Sequence, residues 1–513
     1  MAKQAKNKLP KELMASAWVL AFGAVAPMLD STMVNIAINK LQSDLHTSLN
    51  TIQWAITGYV LALAIAVPIC GYFVNHFNGK KVLQWATVSF GIFSLLSGQA
   101  WDVQTFILFR IFQGFSAGFV ILLMSTLLMR LAPRDQIGQL MAVVSTPIII
   151  GPIIGPVIGG AIVQYASWQW IFYINVFFCI ISLLLNIKFL QDFEPMNPKS
   201  RLDWFGTLLL AGGSTGLIYG LMRGSENAQH FFNREMLIFV TLGVLSFVIY
   251  AIYDRLRKGD TVLPMRFFKT KSYLAANAGI FLAGIASNGP MLLLPLYFQN
   301  IRDFSVMNAG LILLPQGLGM FLVRPMLGKL IDQLGARPVV LVSLVVSLAG
   351  TLPFVFIQAD TNLWLLGVIL FIRGLGIGGL QMPMMTEIFV GLPKSDIASA
   401  SVGNRIIQNV GASFGSAVIS AVVTGVVLSN HITTKVTAHA KVLSDQLMTQ
   451  AAATHTMPTT TALANLKMQV MSYGEHLTKV ATLNGYQMGF LVSSVVLVVI
   501  AIPAMFMSNK HSA

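Results

Sequence analysis

Charge is scarce in this chain of 513 residues: Asp, Glu, Lys and Arg make up only 10%, against 55% hydrophobic residues. Soluble globular domains carry about a quarter charged residues and less apolar content, so a secreted, nuclear or cytosolic protein is excluded. Cysteine is scarcer still. Cys70 and Cys179 are the whole complement and both sit in apolar runs, which leaves no disulfide framework and no metal cluster. No G-x-x-x-x-G-K-[ST] phosphate loop occurs, so a nucleotide is not the direct fuel within this chain. The eight histidines (His46, His76, His230, His431, His439, His455, His476 and His511) are read as loop or tail residues without metal-ligand spacing. A polytopic membrane enzyme is set aside on that ground, and no cofactor is called for. Ten-residue stretches of alternating polarity are missing as well, which excludes a β-barrel. No small-residue cleavage pattern follows the basic stretch Lys3, Lys6, Lys8 and Lys11, so the first apolar segment is expected to stay in the mature chain.

What the sequence has is long apolar runs broken by short polar turns. At about 20 residues per crossing, they divide into fourteen candidate helices, at 13–38, 51–74, 82–101, 104–131, 137–163, 168–190, 204–222, 235–253, 273–299, 306–331, 337–358, 362–388, 398–428 and 482–508. The fold class is therefore an all-α polytopic membrane protein. Basic residues orient it. With both termini in the cytoplasm, the inward side receives Lys80 and Lys81, Arg130 and Arg134, Lys199 and Arg201, Arg255, Arg257, Lys258, Arg266, Lys269 and Lys271, Lys329 and Arg337, and Lys394. Outward connections hold Lys40, Arg223, Arg234, Arg302 and four more on one long loop. That bias follows the positive-inside rule. The formal net charge of +14 is thus accounted for by topology and anionic lipid, and nucleic acid is not needed as a partner.

Residues 1–12 read as a cytoplasmic tail. The pair of helices at 204–253 lies between two six-helix blocks, 13–190 and 273–508, and has the look of an insertion. Residues 429–481, rich in Thr, Ala, Met and Gln, form one external connection whose apolar period at Leu443, Leu447, Leu463, Leu466 and Val470 suggests a solvated helical hairpin. The two blocks echo each other. Gly71-Tyr72-Phe73-Val74-Asn75-His76-Phe77-Asn78-Gly79-Lys80-Lys81 after the second helix is matched by Gly328-Lys329-Leu330-Ile331-Asp332-Gln333-Leu334-Gly335-Ala336-Arg337 after the tenth. Leu108-Phe109-Arg110, followed by Gln113-Gly114, is matched by Phe371-Ile372-Arg373-Gly374. Duplicated halves with a site near the midplane are a common transporter construction. A passive channel fits a Gly/Pro-hinged duplicate less well.

These segments resemble the major facilitator superfamily, and within it the fourteen-helix branch of drug:proton antiporters, over nearly the whole chain. The loop after the second helix is similar to the G-x-L-a-D-R-x-G-R-K signature, with Asn75, His76 and Asn78 replacing its acid, first arginine and glycine. The second copy keeps Asp332, Gly335 and Arg337. The resemblance makes Gly71, Asn75, Lys80, Lys81, Gly328, Asp332, Gly335 and Arg337 a cytoplasmic gate, with Asn75 bringing no anion to the first-half charge lock. Arg110, Gln113 and Gly114 resemble R-x-x-Q-G, associated in the family with proton transfer. Gly151, Pro152, Gly155, Pro156, Gly159 and Gly160 resemble the antiporter motif, and Leu29 to Asn35 resemble L-D-x-T-x-V-N. Trp168 to Asn175 match a further habit of the branch, with Gln169 where arginine is usual. The resemblance implies a bacterial plasma-membrane exporter driven by the proton gradient, with small molecules, protons and the lipid bilayer as partners. An adaptor protein is possible and not indicated.

The residues support that chemistry independently. Asp30 lies roughly 22 Å from the cytoplasmic side, and Arg110 about 8 Å from the outer face of a roughly 30 Å core. Both fall in the outer half, where an unpaired charge is costly, so the two are expected to pair. Arg110 favours the ionised acid and dehydration the neutral one, and alternating hydration would switch between them. A static pair holding two helices together is the competing reading. The coupling assignment requires Asp30 to reach water or a central chamber. Gly151, Gly155 and Gly159 make one smooth helix face for close approach, and Pro152 and Pro156 kink that helix. Candidate substrate contacts are Asn35, Gln53, Trp54, Thr57, Gln113, Asn288, Gln316, Asn404 and Gln408, with Tyr59 and Asn409 beside them. A lining of amides, aromatics and Met suits bulky amphiphilic, often cationic molecules. Arg373 is read as a counterpart of Arg110, and Arg405 and Glu387 as snorkelling or locally paired. A carrier of a physiological solute, such as a lipid, bile salt, peptide or amino acid, is the alternative.

Overall fold

The computed structural model describes residues 10–131, 133, 137–144, 146–195, 203–226, 231–258, 261–453 and 459–509, and among them the chain is helical with no strand. In chain order the helices are α1 (Lys11–Gly23), α2 (Val25–Asp44), α3 (Leu49–His76), α4 (Gly79–Gly98), α5 (Val103–Leu131), α6 (Ile137–Val144), α7 (Thr146–Tyr165), α8 (Trp170–Phe189), α9 (Trp204–Glu226) and α10 (Arg234–Leu256). They continue as α11 (Lys271–Asn300), α12 (Val306–Leu311), α13 (Leu314–Leu334), α14 (Ala336–Thr351), α15 (Leu363–Glu387), α16 (Ile397–Ser429), α17 (Ile432–Ala453) and α18 (Thr460–Ala504). Polar caps start many of them. Ser48, Asn78, Asn233, Asn362 and Thr459 each accept a first-turn N–H with the side chain, satisfying donors that helix geometry leaves open. Asp102 accepts the N–H of Thr105 at 2.7 Å ahead of α5, a bond that holds its carboxyl below the ordinary carboxylate range.

Twelve helices among the described residues are long and apolar enough to cross a membrane, where the sequence suggests fourteen. The two not counted are α4 and α7, each of 20 residues, a length of about 30 Å. The apolar run of α4 is diluted by Lys80, Lys81, Gln84, Thr87 and three serines, and part of α7 lies beyond the described side chains. The expected first span breaks into α1 and α2 at Ala24, whose N–H bonds back to Ala21 and Phe22. The expected start of the last span at residue 482 is also corrected. Helix α18 runs unbroken through 45 residues, about 68 Å, far more than a bilayer core needs. Its first half pairs with α17 as the helical hairpin that the apolar period suggests. His439 lies on α17, stacked 4.0 Å from Tyr473, and His476 on α18, so neither is a loop residue. An ion pair of 2.8 Å between Lys479 and Asp303 fixes the foot of the hairpin. Arg134, Lys199, Arg201, His230, His455, His511 and the tail up to residue 9 lie outside the described residues.

Apolar side chains point outward as well as in. Leu237, Leu242, Leu245, Val248 and Ile252 are all about half exposed along α10. Trp85, Trp101, Trp204 and Trp364 are largely exposed near helix ends, where amphipathic rings sit at a membrane interface.

The internal repeat appears in how glycines pack. Gly114 and Gly118 of α5 lie against Tyr59 and Leu63 of α3, and Gly374 and Gly378 of α15 lie the same way against Gln316 and Met320 of α13. Gly151 and Gly155 of α7 face Met28 and Thr32 of α2, as Gly411 and Gly415 of α16 face Phe281 and Ile285 of α11. In every case a four-residue spacing meets a four-residue spacing. Helix α9 of the central pair packs on α10, α16 and α3. The two halves touch at both ends, through α6 on α13 and through α7 on α12. At Gly335 the backbone takes φ +84°, and a Cβ there would also stand 2.8 Å from the Asn509 carbonyl carbon. Gly335→Ala is expected to destabilise the protein by about 1–3 kcal/mol, read as a lower Tm and faster proteolysis of the C-terminal tail. An unchanged Tm would remove that contact from the account.

Candidate functional site

Five helices bring one polar cluster together in the apolar interior of the first half. Asp30 of α2 accepts a bond from Nη1 of Arg110 on α5 at 2.5 Å, and the two are 0% and 1% exposed. Arg110 Nη1 also donates to Gln113 Oε1 at 2.7 Å, and its Nε to the Ala55 carbonyl at 3.4 Å. The other carboxylate oxygen accepts from Gln113 Nε2 at 3.2 Å and from Asn175 Nδ2 of α8 at 2.8 Å. Both amides also donate to Ser94 Oγ of α4, which in turn donates to the Phe172 carbonyl. The Tyr59 ring closes the cluster, with the guanidinium carbon 4.2 Å from its centroid. Arg110 and Gln113 stand three apart and so share a helix face, which is why both reach Asp30. Removing one partner of such a buried pair costs about 3–5 kcal/mol. The expected pairing is present; Ser94 and Asn175 extend it. Asn175 stands in the quoted Trp168–Asn175 run, but nothing there tells that it turns inward to Asp30.

This cluster is sealed. Asp30 has no exposure, and the central cavity is lined by Met28, two residues before it, not by Asp30. The expected opening of Asp30 onto that chamber is therefore not met in this conformation. Helix α7 closes over another face of α2 through its glycines. A Cβ at Gly151 would meet the Met28 carbonyl at 2.6 Å, one at Gly155 would meet Thr32, and one at Gly159 would meet Met33 at 3.2 Å. Thr32 Oγ1 donates to the Gly151 carbonyl at 3.0 Å across the same interface. Gly160 reaches Met307 on α12 at 3.9 Å. Pro152 and Pro156 fall within α7, and their side chains lie outside the described residues.

The central cavity, of about 220 Å³, is built chiefly by α11, α13, α15 and α16. Asn288, Gln316 and Gln408 line it together with Asn409, as the sequence suggests; Asn404 is buried and does not. Nor do Asn35, Gln53, Trp54 and Thr57. Asn35 is exposed and bonds back to the Ser31 carbonyl, Thr57 is buried, and Trp54 packs on Tyr219 and Arg223 of α9. Gln113 belongs to the Asp30 cluster. The lining also holds Arg324, Arg373 and Arg405 and no carboxylate, an arrangement that repels a cation. Of the two expectations for Arg405, local pairing holds and snorkelling does not: it turns inward and donates to Gln408 Oε1, three residues on, at 2.6 Å. Arg373 donates to Gln316 Oε1 at 2.6 Å. Matched through the glycines, Arg373 occupies the place of Gln113 and not of Arg110, and the α11 stretch facing the second-half glycines, Phe281 to Ile285, carries no acid. Arg324 stands five residues before Lys329, and no motif in the sequence singles it out.

Between the halves, Asp332 of α13 accepts from the backbone and side-chain nitrogens of Gln139 on α6, both at 3.3 Å. Gly71 packs against Val402 of α16. Asn75 Oδ1 is buried without a partner. Lys80 Nζ donates to the Ile187 carbonyl, and Asn78 caps α4 over Lys80 and Lys81. Gly328 is buried on α13, and the Arg337 N–H bonds to the Ser508 carbonyl. Glu387 is not free to snorkel: its carboxylate holds Ser508 at 2.6 and 2.9 Å.

A helical bundle of duplicated halves, closing at both ends around a charge cluster and a central cavity, is the architecture of a multi-pass membrane transporter. Residues 20–416 match the model of the Major Facilitator Superfamily, and the chain belongs to that family. A Mycobacterium tuberculosis protein named multidrug resistance protein B homolog is 30% identical over 422 residues, covering 82% of this chain and 77% of that one. The Escherichia coli multidrug export protein EmrB is 27% identical over 404 residues, 78% of each chain. Among solved structures, the human organic anion transporter MFSD10 aligns with a TM-score of 0.58 at 13% identity, over 95% of this chain and 100% of that one. The proton:xylose symporter XylE aligns at 0.56 and 14%, over 94% of each. At such identities the likeness is one of fold. Gly155→Leu, which drives a side chain into Thr32, is expected to slow exchange by about ten-fold or more while ligand affinity changes far less. Unchanged turnover in a counterflow assay would contradict the glycine hinge.

Proposed function

We propose that the protein is a proton-coupled antiporter of the fourteen-helix drug:proton branch, exporting hydrophobic amphiphilic compounds across the bacterial plasma membrane by alternating access. Membership of the family carries this reading, and the Asp30–Arg110 pair supplies a candidate proton carrier. Because Asp30 is closed off from water and from the cavity here, its coupling role requires a second conformation that exposes it. On this reading residues 13–190 and 273–508 are the two moving bundles, 204–253 the inserted pair, and both termini are cytoplasmic. The α7 glycines form the hinge. Gly71, Asn75, Lys80, Lys81, Gly328, Asp332, Gly335 and Arg337 form the cytoplasmic gate, in which Asp332 supplies the charge that Asn75 lacks. Asp30 meets water only when the helices that enclose it separate, so uptake and release of the proton are tied to the tilt of the halves. The membrane potential supplies about 2.3 kcal/mol per charge per 100 mV. The names of the M. tuberculosis and E. coli relatives support drug export; a carrier of a physiological solute on the same scaffold is the alternative.

The full burial of Asp30 favours one further reading, a static ion pair that ties α2 to α5. Asp30→Asn separates the two, measured in proteoliposomes with an imposed pH gradient. The proton-coupled reading expects the variant to insert and to exchange substrate at equilibrium, with gradient-driven accumulation reduced at least about 100-fold. Wild-type accumulation would overturn it. Loss of exchange together with a collapsed Tm would establish the static pair. Growth of an efflux-deficient bacterium on unrelated amphiphilic drugs separates drug export from a physiological solute.

A further inference from the structure

The central cavity contains three guanidinium groups and no acid. Arg373 is 0% exposed and Arg324 7% exposed, and Arg405 lines the same space. Guanidinium stays protonated in proteins, so these side chains bring three positive charges into the bundle interior. Their bonds do not neutralise them. Arg373 and Arg405 each reach one neutral amide oxygen, on Gln316 and Gln408. Nε and Nη1 of Arg324, Nε and Nη2 of Arg373 and Nε of Arg405 are buried without a hydrogen-bond partner. Asp30, the acid deepest in an apolar run, is already committed to Arg110, Gln113 and Asn175. Glu387 is held by Ser508. Buried charge is tolerated when it is paired, and amides or water fill N–H valences without supplying negative charge.

We infer that this cavity is an anion site, taking an amphiphilic organic anion whose carboxylate or sulfonate is gripped by Arg324, Arg373 and Arg405. The fork of donors on each guanidinium matches a planar carboxylate. Met28, Met291 and Met320 supply a deformable apolar wall for the body of the molecule. The inference deepens the export reading and rests on this cavity being the substrate chamber. It replaces the often cationic cargo suggested by the amide, aromatic and Met residues of the sequence.

The test is calorimetric titration of the full-length protein in lipid nanodiscs, without any gradient and with empty nanodiscs as blank. A matched pair of probes is used, 2-naphthoate and 2-naphthyltrimethylammonium. Naphthoate is expected to bind about ten-fold or more tightly than the cation, and Arg324→Gln to weaken naphthoate about ten-fold or more. The cation should bind that variant no worse. Arg324→Lys, which keeps the charge, should retain most of the naphthoate affinity. Should Arg324→Gln not fold, the wild-type pair of probes decides alone. A cation bound as tightly as naphthoate, no naphthoate binding, or affinity unmoved by Arg324→Gln in a folded variant would overturn the inference. Because binding is read at equilibrium, failure of proton coupling through Asp30 leaves this outcome untouched, and the two failures are distinguishable.

Discussion

One ion pair sets the terms for the first half of the molecule. Asp30 and Arg110 meet at 2.5 Å with essentially no exposure, in a bundle whose surroundings are apolar. Leaving either charge there alone would cost about 3–5 kcal/mol. Everything around the pair serves that constraint. Gln113 and Asn175 fill the second carboxylate oxygen, Ser94 orients both amides, and the Tyr59 ring covers the guanidinium. On another face of α2, the close approach of α7 is possible because glycines remove the side chains between the two helices. A proton on Asp30 would weaken its hold on Arg110.

The halves share a skeleton and divide the labour. Glycines at matching places set the same helix contacts in both, α3 on α5 with α13 on α15, and α2 on α7 with α11 on α16. The polar chemistry was not duplicated with them. The first half holds an acid and an arginine in a closed cluster, and the second holds arginines around an open space with no acid opposite. Tyr59 lies within electrostatic reach of Asp30, Arg110 and Arg405 alike.

The membrane class, the helix order and the Asp30–Arg110 pairing are legible in the sequence, because apolar run length and the cost of a lone buried charge are local properties. The glycine face at Gly151, Gly155 and Gly159 is legible for the same reason, since spacing alone defines it. The cavity lining is not. Whether Trp54 faces a chamber or Tyr219, and whether Arg405 turns outward or inward, depends on helix rotation, which apolar periodicity in a doubly apolar environment does not fix. Repeat alignment by arginine was misleading: the glycine contacts, invisible before the helices are packed, shift Arg373 by one turn relative to Arg110. Continuity of α18 across the expected boundary at residue 482 escapes for a plainer reason, since helix propensity does not stop where a bilayer does.

The central claim, that Asp30 takes up and gives back a proton, is tested most directly by infrared difference spectroscopy of the reconstituted protein between alkaline and acidic buffer. The account predicts a protonated-carboxyl band that grows on acidification in the wild type and is missing from Asp30→Asn. Identical difference spectra for the two proteins would contradict it.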